Sequence, residues 1–483
     1  MIAPMKKESR KAQRGVALLI AIFAMLLISG VAVSLIVMSG TESAVTGNYR
    51  SSTQAFYAAY AGLEEGRGRM RPGHGQTLDA LTGINKGAGA MASNRVVYIL
   101  NPAAGEVVNP LNLAANNPYA DRQYAKEFPG GGAVVSAVNS TSAVFLGGVP
   151  GMMFKWIRIT PKTEFAANTD VDGNGVINPA SVISYDGKNQ NTTGSGRQVL
   201  RATVLAVTPE GSRRMAQYDI SPVFLNLQLP AALTFDGKGV ALFPSNSNVY
   251  VVDGNDHAGC GQPAVAPAQP AIGVLSPADD ATVTAAIPPN RLDKYIGSGK
   301  EPDVQDISGS LPKNLSDPQQ LEELLQLIKD NTTTPPLTGP ISEVCSSVGQ
   351  LGCLPLAAVG TLANPAITYV DGDLSLSGGV TGYGVLVVTG KFSASGTVGW
   401  KGIVLVVGEG EMEVNGGGSN QYDGAVLLAK TKDSNGNLLS TVGPTLLDWA
   451  GGGGNGVSYS TGCINNAQNN TSYRVLSFRE IQE

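Results

Sequence analysis

One uninterrupted apolar run near the N-terminus limits this chain more than any other feature. Residues 15–41 carry no charged side chain, and residues 16–38 read VALLIAIFAMLLISGVAVSLIVM. As a helix these residues extend about 34 Å at 1.5 Å each, enough to cross a hydrocarbon core of about 30 Å. Lys6, Lys7, Arg10, Lys11 and Arg14 precede the run, opposed only by Glu8. Basic flanks of this kind stay on the cytoplasmic side, so the rest of the chain is directed outward. The run is longer than the roughly 7–15 apolar residues of a cleaved secretory signal and continues into more helix. Past it, Phe56, Ala59, Tyr60 and Leu63 recur at helical spacing, which predicts an amphipathic continuation to about Glu65 and a break at Gly66–Gly68. The expected order is a basic leader at 1–15, a membrane span at 16–38 and the continuation at 39–66.

The remainder is a different kind of polymer. Charged residues make up 15% of the 483, well under the usual level of about 25%. Sixty-one glycines and 28 prolines beside 6% aromatics favour short strands and tight turns over helix bundles. The net charge of −5 and the lack of basic clusters after residue 14 argue against nucleic acid as a partner. Two histidines, His74 and His257, leave little material for histidine-based metal or nucleophile chemistry.

Gln13-Arg14-Gly15, the apolar run, Gly47-Asn48-Tyr49-Arg50 and Gln54-Ala55-Phe56-Tyr57-Ala58-Ala59 together resemble the N-terminal segment of X-type type IV pilus assembly proteins, a minor pilin family. The resemblance implies cleavage by a prepilin peptidase after Gly15, leaving Val16 as the new N-terminus. It also implies residence in the inner membrane and then in a surface pilus, among other minor pilins and the assembly machinery, with a tip adhesin as a further partner. Major pilins carry glutamate at the fifth mature position, where this chain has Ile20. K-type pseudopilins of type II secretion share that departure and form the first alternative. A membrane-anchored carbohydrate-binding or carbohydrate-cleaving β-helix protein forms the second. Tyr60 is a further departure, standing where related sequences commonly have glutamate.

The expected fold is mainly β with a long N-terminal α-helix: a pilin-like α+β domain followed by a Gly-rich β-solenoid-like domain. Residues 67–222 form the α+β ectodomain, with strands at 95–100, 153–160, 199–207 and 215–220. Residues 223–260 give a first β-solenoid-like segment. Residues 261–365 read as a Pro- and Ala-rich insertion or linker with a short helix at 317–330, capped by Asp317 with Pro318 in its first turn. Residues 366–483 form β-solenoid-like repeats of about 18–22 residues closed by Gly384, Gly402 and Gly424, with a C-terminal cap. An antiparallel meander is the competing arrangement.

Residues 170–181 offer a calcium loop. Six oxygens at positions 1, 3, 5, 7, 9 and 12 would come from Asp170, Asp172, Asn174, the Val176 carbonyl, Asn178 and Ser181, with Gly175 at the sharp turn. Ser181 stands where a bidentate acid is expected, and an Asp-Gly/Asn-Gly turn is the plainer alternative. The four cysteines, Cys260, Cys345, Cys353 and Cys463, allow three pairings outside the cytoplasm, or none if all stay reduced. Asp371, Asp373, Glu409, Glu411, Glu413, Lys391 and Lys401 alternate with apolar residues, as on a solvated strand face. No enzymatic site is expected.

Overall fold

The computed structural model describes residues 11–70, 91–128, 133–139, 153–194, 196–223, 225–346, 350, 352–454, 456–468, 471 and 473–481. Leader residues 1–10 lie outside the described residues. A single helix spans Lys11–Arg69. Every residue from Val16 to Arg50 is exposed, and burial begins at Ser51. The buried stripe runs through Ser51, Ala55, Ala59, Leu63 and Met70. This corrects the expected face: Ala59 and Leu63 are buried, whereas Tyr60 is 44% exposed. Tyr60 and Phe56 lie to one side, edge-on to Phe478.

The expected break at Gly66–Gly68 is also corrected, because the helix runs through both glycines. A glycine inside a helix costs about 1 kcal/mol relative to alanine, and close packing against a sheet offsets that here. A Cβ on Gly62 would stand 2.6 Å from Val204 and 2.9 Å from Phe154, and one on Gly66 would stand 3.2 Å from Ile157. The small residues therefore let strand side chains approach the helix axis.

Those strands belong to a six-stranded sheet ordered 134–139, 95–100, 154–161, 200–207, 213–222 and 473–481. All pairings are antiparallel except that between the first two. Strand alternation sends Val97, Ile99, Ile157, Ile159, Ala202, Val204, Tyr218 and Ile220 towards the helix. The final strand corrects the sequence reading, which placed residues 473–480 with the solenoid-like repeats. Tyr473–Ile481 instead pairs with Arg213–Pro222, and Arg67 donates to the Tyr473 carbonyl at 3.2 Å. The chain thus leaves the first sheet, builds the second and returns to close the first.

The opposite face of the six-stranded sheet buries charge. Arg158, fully buried, meets Asp121 at 3.0 Å and Glu127. Arg201 meets Asp219 at 2.9 Å and lies 3.5 Å from Glu127, and Lys162 reaches Asp219 at 3.0 Å. Gln217 donates to Glu127 at 2.7 Å, and the Tyr98 hydroxyl donates to Asp121 at 2.9 Å. These bonds fasten the 121–127 segment onto the sheet.

The second sheet is a curled, largely parallel one of fifteen strands among the described residues. Parallel in-register pairing joins Leu374–Val388 to Phe392–Val407, then to Glu411–Asn415 and Gln421–Lys432. The antiparallel meander is therefore excluded for the repeats. Leu374 pairs with Phe392, Phe392 with Met412 and Met412 with Leu447, so like residues stack in columns that fill one continuous core.

One column is glycine. Ala366, Gly384, Gly402 and Gly424 are successive partners. The three glycines have φ values of 120°, 137° and 137°. At each, a Cβ would collide with the carbonyl oxygen of its partner on the preceding strand. Gly402→Ala combines a backbone region nearly reserved for glycine with a steric clash, and a loss of about 2–4 kcal/mol is expected. A shift in the urea midpoint of the full chain checks this.

Residues 261–365, expected as an insertion or linker, contribute strands to the sheet. Ile272–Val274 pairs with Leu233 and Thr234 on one side and Val304–Asp306 on the other, and Tyr295 pairs with Val252. Proline- and alanine-rich composition hid strands of only two or three residues. The helix Pro318–Asp330 carries the expected Asp317 cap, which accepts from the Gln320 N–H at 3.0 Å. It buries Leu321, Leu324, Leu325 and Ile328 and ties down through Lys329 to Asp371 at 3.0 Å and Thr431 to Glu322 at 3.1 Å. Disulfides join Cys345 to Cys353 and Cys260 to Cys463. The second fastens the helix Thr461–Ala467 to the turn after Val251–Asp253.

Candidate functional site

Three regions hold the residues singled out by sequence: the exposed helix, the acidic loop and the outer face of the curled sheet. The Gly15–Val16 bond lies within the helix Lys11–Arg69. From Val16 onward the helix is long and apolar enough to cross a membrane, and its most apolar window is wholly unburied. Where the helix meets the sheet, Tyr49, Arg50, Thr53, Gln54, Tyr57 and Met153 line an apolar hollow of about 520 Å³.

The acidic loop is set up by a single helical turn. Thr163 caps Glu164–Ala167 by accepting from the Ala166 N–H at 3.1 Å, and Asn168 ends the turn in the left-handed region. Asp170 then accepts from the N–H groups of Gly173 at 2.8 Å, Asn174 at 3.2 Å and Gly175 at 2.7 Å. These bonds, that from Gly175 foremost, hold the Asp170 carboxyl below its usual range. Asp172 accepts from Asn174 at 3.1 Å, Asn174 from Val176 at 2.8 Å and Asn178 from Ala180 at 2.9 Å. All six expected ligand positions thus lie in one tightly wound loop, its ends joined by the pairing of Thr163 with Val182.

Sequence reasoning missed Glu164. Its buried carboxylate accepts from Val171 at 2.8 Å and Asn178 at 3.3 Å. Carboxylate oxygens of Glu164, Asp170 and Asp172 lie within 4.8 Å of one another. The Glu164 N–H donates to the Ser181 carbonyl at 3.0 Å, so this acid sits beside the twelfth position, where the loop lacks one. The signal was an acid upstream of the loop in a capped turn, whereas the pattern looks only downstream. The donors are all oxygen, the chemistry of a hard divalent cation.

On the curled sheet, Lys401 pairs with Asp423 at 3.1 Å, Lys391 with Glu413, and Asp371 with Lys329. Burial, with Asp373 and Glu411 nearby, raises Glu409 above its usual range. These charges are spread over partly exposed ion pairs instead of converging on one cleft.

Residues 14–64 match the PilX N-terminal family. The matched segment contains the Gly15–Val16 junction, the apolar span and the start of the buried stripe, and this supports a PilX-like relationship to type IV pili. That family is a pilus component and not an enzyme family. No curated protein and no solved structure matches the chain.

Proposed function

We propose that this chain is a minor pilin that primes assembly of a type IV pilus and sits at or near its tip. The match over residues 14–64 carries the reading. Its support is a helix exposed through Arg50 and packed on a sheet beyond it, as a subunit held first by lipid and then by neighbouring helices requires. On this reading the prepilin peptidase cuts after Gly15, and the chain waits in the inner membrane with its ectodomain outside the cytoplasm. The hollow at Tyr49–Tyr57 and Met153 receives apolar side chains of another minor pilin. The pilin-like sheet holds the solenoid-like coils outward, towards a tip adhesin or a surface. Deleting the gene is expected to remove most surface pili, with restoration by the intact gene. Wild-type piliation in the deletion strain overturns the proposal, and if protein secretion stops instead, the K-type pseudopilin reading takes its place.

The acidic loop is proposed to bind Ca²⁺ through Asp170, Asp172, Asn174, the Val176 carbonyl and Asn178, with Glu164 supplying the acid that Ser181 cannot. A ligand at one hundred times its Kd stabilises a fold by about 2.7 kcal/mol. Millimolar Ca²⁺ is expected to protect the 163–182 segment from protease in the full chain and to leave Asp170→Ala unprotected. Equal cleavage with Ca²⁺ and with chelator contradicts binding.

A further inference from the structure

We propose that the cleft between residues 226–230 and the helix Thr461–Ala467 binds a neutral mono- or disaccharide. The cleft has a volume of about 400 Å³, within the range of small-molecule sites. It lies beside both connections between the six-stranded sheet and the curled sheet. Gln269, Ser310 and Pro312 close its far side.

Both walls are held in place by the protein itself. Leu225, Leu227 and Leu229 are buried, and Asn226 and Gln228 alternate with them on the exposed side. Gln468 accepts from the Leu227 N–H at 2.7 Å and donates to the Leu227 carbonyl at 3.1 Å. Tyr459 donates to the Leu229 carbonyl at 3.1 Å. On the other side, the disulfide from Cys260 to Cys463 pins the helix, and Asp256 accepts from the Thr461 N–H at 2.8 Å. A wall already ordered loses little freedom when a ligand arrives.

The lining chemistry selects the ligand class. The side-chain amides of Asn226, Gln228 and Asn465 line the cleft and are exposed. They make no hydrogen bond among the described residues. No charged side chain lines the cleft among the described residues. A phosphate, carboxylate or ammonium entering it would lose water without gaining a counter-charge. A wholly apolar ligand would strip water from the amides and replace none of their bonds. A carboxamide presents N–H donors beside a carbonyl acceptor, and neighbouring sugar hydroxyls, each donor and acceptor, complement that pair. Leu227, Leu229, Pro230 and Pro312 supply apolar surface for the C–H face of a sugar ring. An extended peptide fits less well, because it pairs with open main-chain groups along an edge. Here the Leu227 N–H and carbonyl and the Leu229 carbonyl are already taken.

The test is saturation-transfer NMR on the full chain in a detergent without a sugar headgroup. The probes are the methyl glycosides of glucose, galactose, mannose and N-acetylglucosamine, with lactose and maltose. At about 10 mM of each, one or more is expected to bind with a Kd of about 1 mM or below. Glycerol and glucuronate, a plain polyol and an anion, are expected not to bind. Asn226 has φ 47°, so Asn226→Gly removes the amide and keeps a backbone that glycine adopts without strain. Asn226→Gly and Asn465→Ala are each expected to weaken binding about tenfold, with an unchanged urea midpoint. If Asn226→Gly fails to fold, Gln228→Ala takes its place with the same expected loss. Absence of binding by every glycoside, preference for glucuronate, or binding that the variants leave unchanged overturns the proposal. None of these outcomes bears on cleavage after Gly15 or on piliation.

Discussion

Arg158→Ala is expected to destabilise the full chain by about 3–5 kcal/mol, the usual cost of breaking a buried ion pair from one side. Arg158 has no exposed side-chain surface, and its partners Asp121 and Glu127 have 0% and 2%. Removing the guanidinium leaves two buried carboxylates facing each other. Glu127 keeps Arg201 at 3.5 Å, Arg479 at 3.6 Å and the Gln217 amide. Among the described residues Asp121 keeps the Tyr98 hydroxyl and the Tyr124 N–H at 3.0 Å. Burial already lifts Asp121 above the usual carboxylate range, with Arg158 pulling the other way. Without Arg158 the carboxyl is expected to take up a proton, so the defect should shrink as pH falls towards 4. Urea midpoints at pH 4.5 and pH 7.5 check both the size and this trend. A loss below about 1 kcal/mol at pH 7.5, the range of an exposed pair, contradicts this account of the sheet's outer face.

Asp236→Asn should act in the opposite direction. Asp236 ends the strand Leu233–Asp236, is fully buried, and has no hydrogen-bond partner for either carboxylate oxygen among the described residues. Burial alone pushes its pKa up to about 7. The unfolded chain releases this proton near pH 4, whereas the folded chain holds it until about pH 7. Between those values the folded state binds more protons than the unfolded one, so stability falls as pH rises. At 1.36 kcal/mol per pKa unit, the loss reaches about 4 kcal/mol above pH 7. Asparagine carries no charge at any pH and keeps the stability that aspartate loses. The variant should match the parent near pH 4 and exceed it by up to about 4 kcal/mol at pH 8. Parallel curves from pH 4 to pH 8 would mean that the carboxylate is already stabilised as an ion.

The sequence made the helix, the first sheet's inner strands and the parallel repeats legible for distinct reasons. The apolar run is long enough to leave few alternatives. The runs 95–100 and 199–207 are dense in β-branched residues, and they form the strands Arg95–Leu100 and Leu200–Val207. The repeat was visible because Gly384, Gly402 and Gly424 each occupy a place where a Cβ collides with a carbonyl oxygen. What stayed hidden depends on contacts distant in sequence. Tyr473–Ile481 reads as the end of the repeats, and only its pairing with Arg213–Pro222 assigns it to the first sheet. Strands as short as Tyr295–Ile296 carry no periodicity. The buried charges at Arg158 and Arg201 look like solvated faces in sequence, because the cover they pack under comes from residues 121–127. In the acidic loop the spacing showed Asp170 to Ser181, but the chain's return past Glu164 appears only in three dimensions.

The N-terminal residue of the protein isolated from its native membrane, or from sheared surface fibres, tests the central claim most directly. Processing as a pilin predicts a chain that begins at Val16, with Met1–Gly15 removed. A chain that still begins at Met1 would contradict the pilin account and leave a standing anchor with an ectodomain.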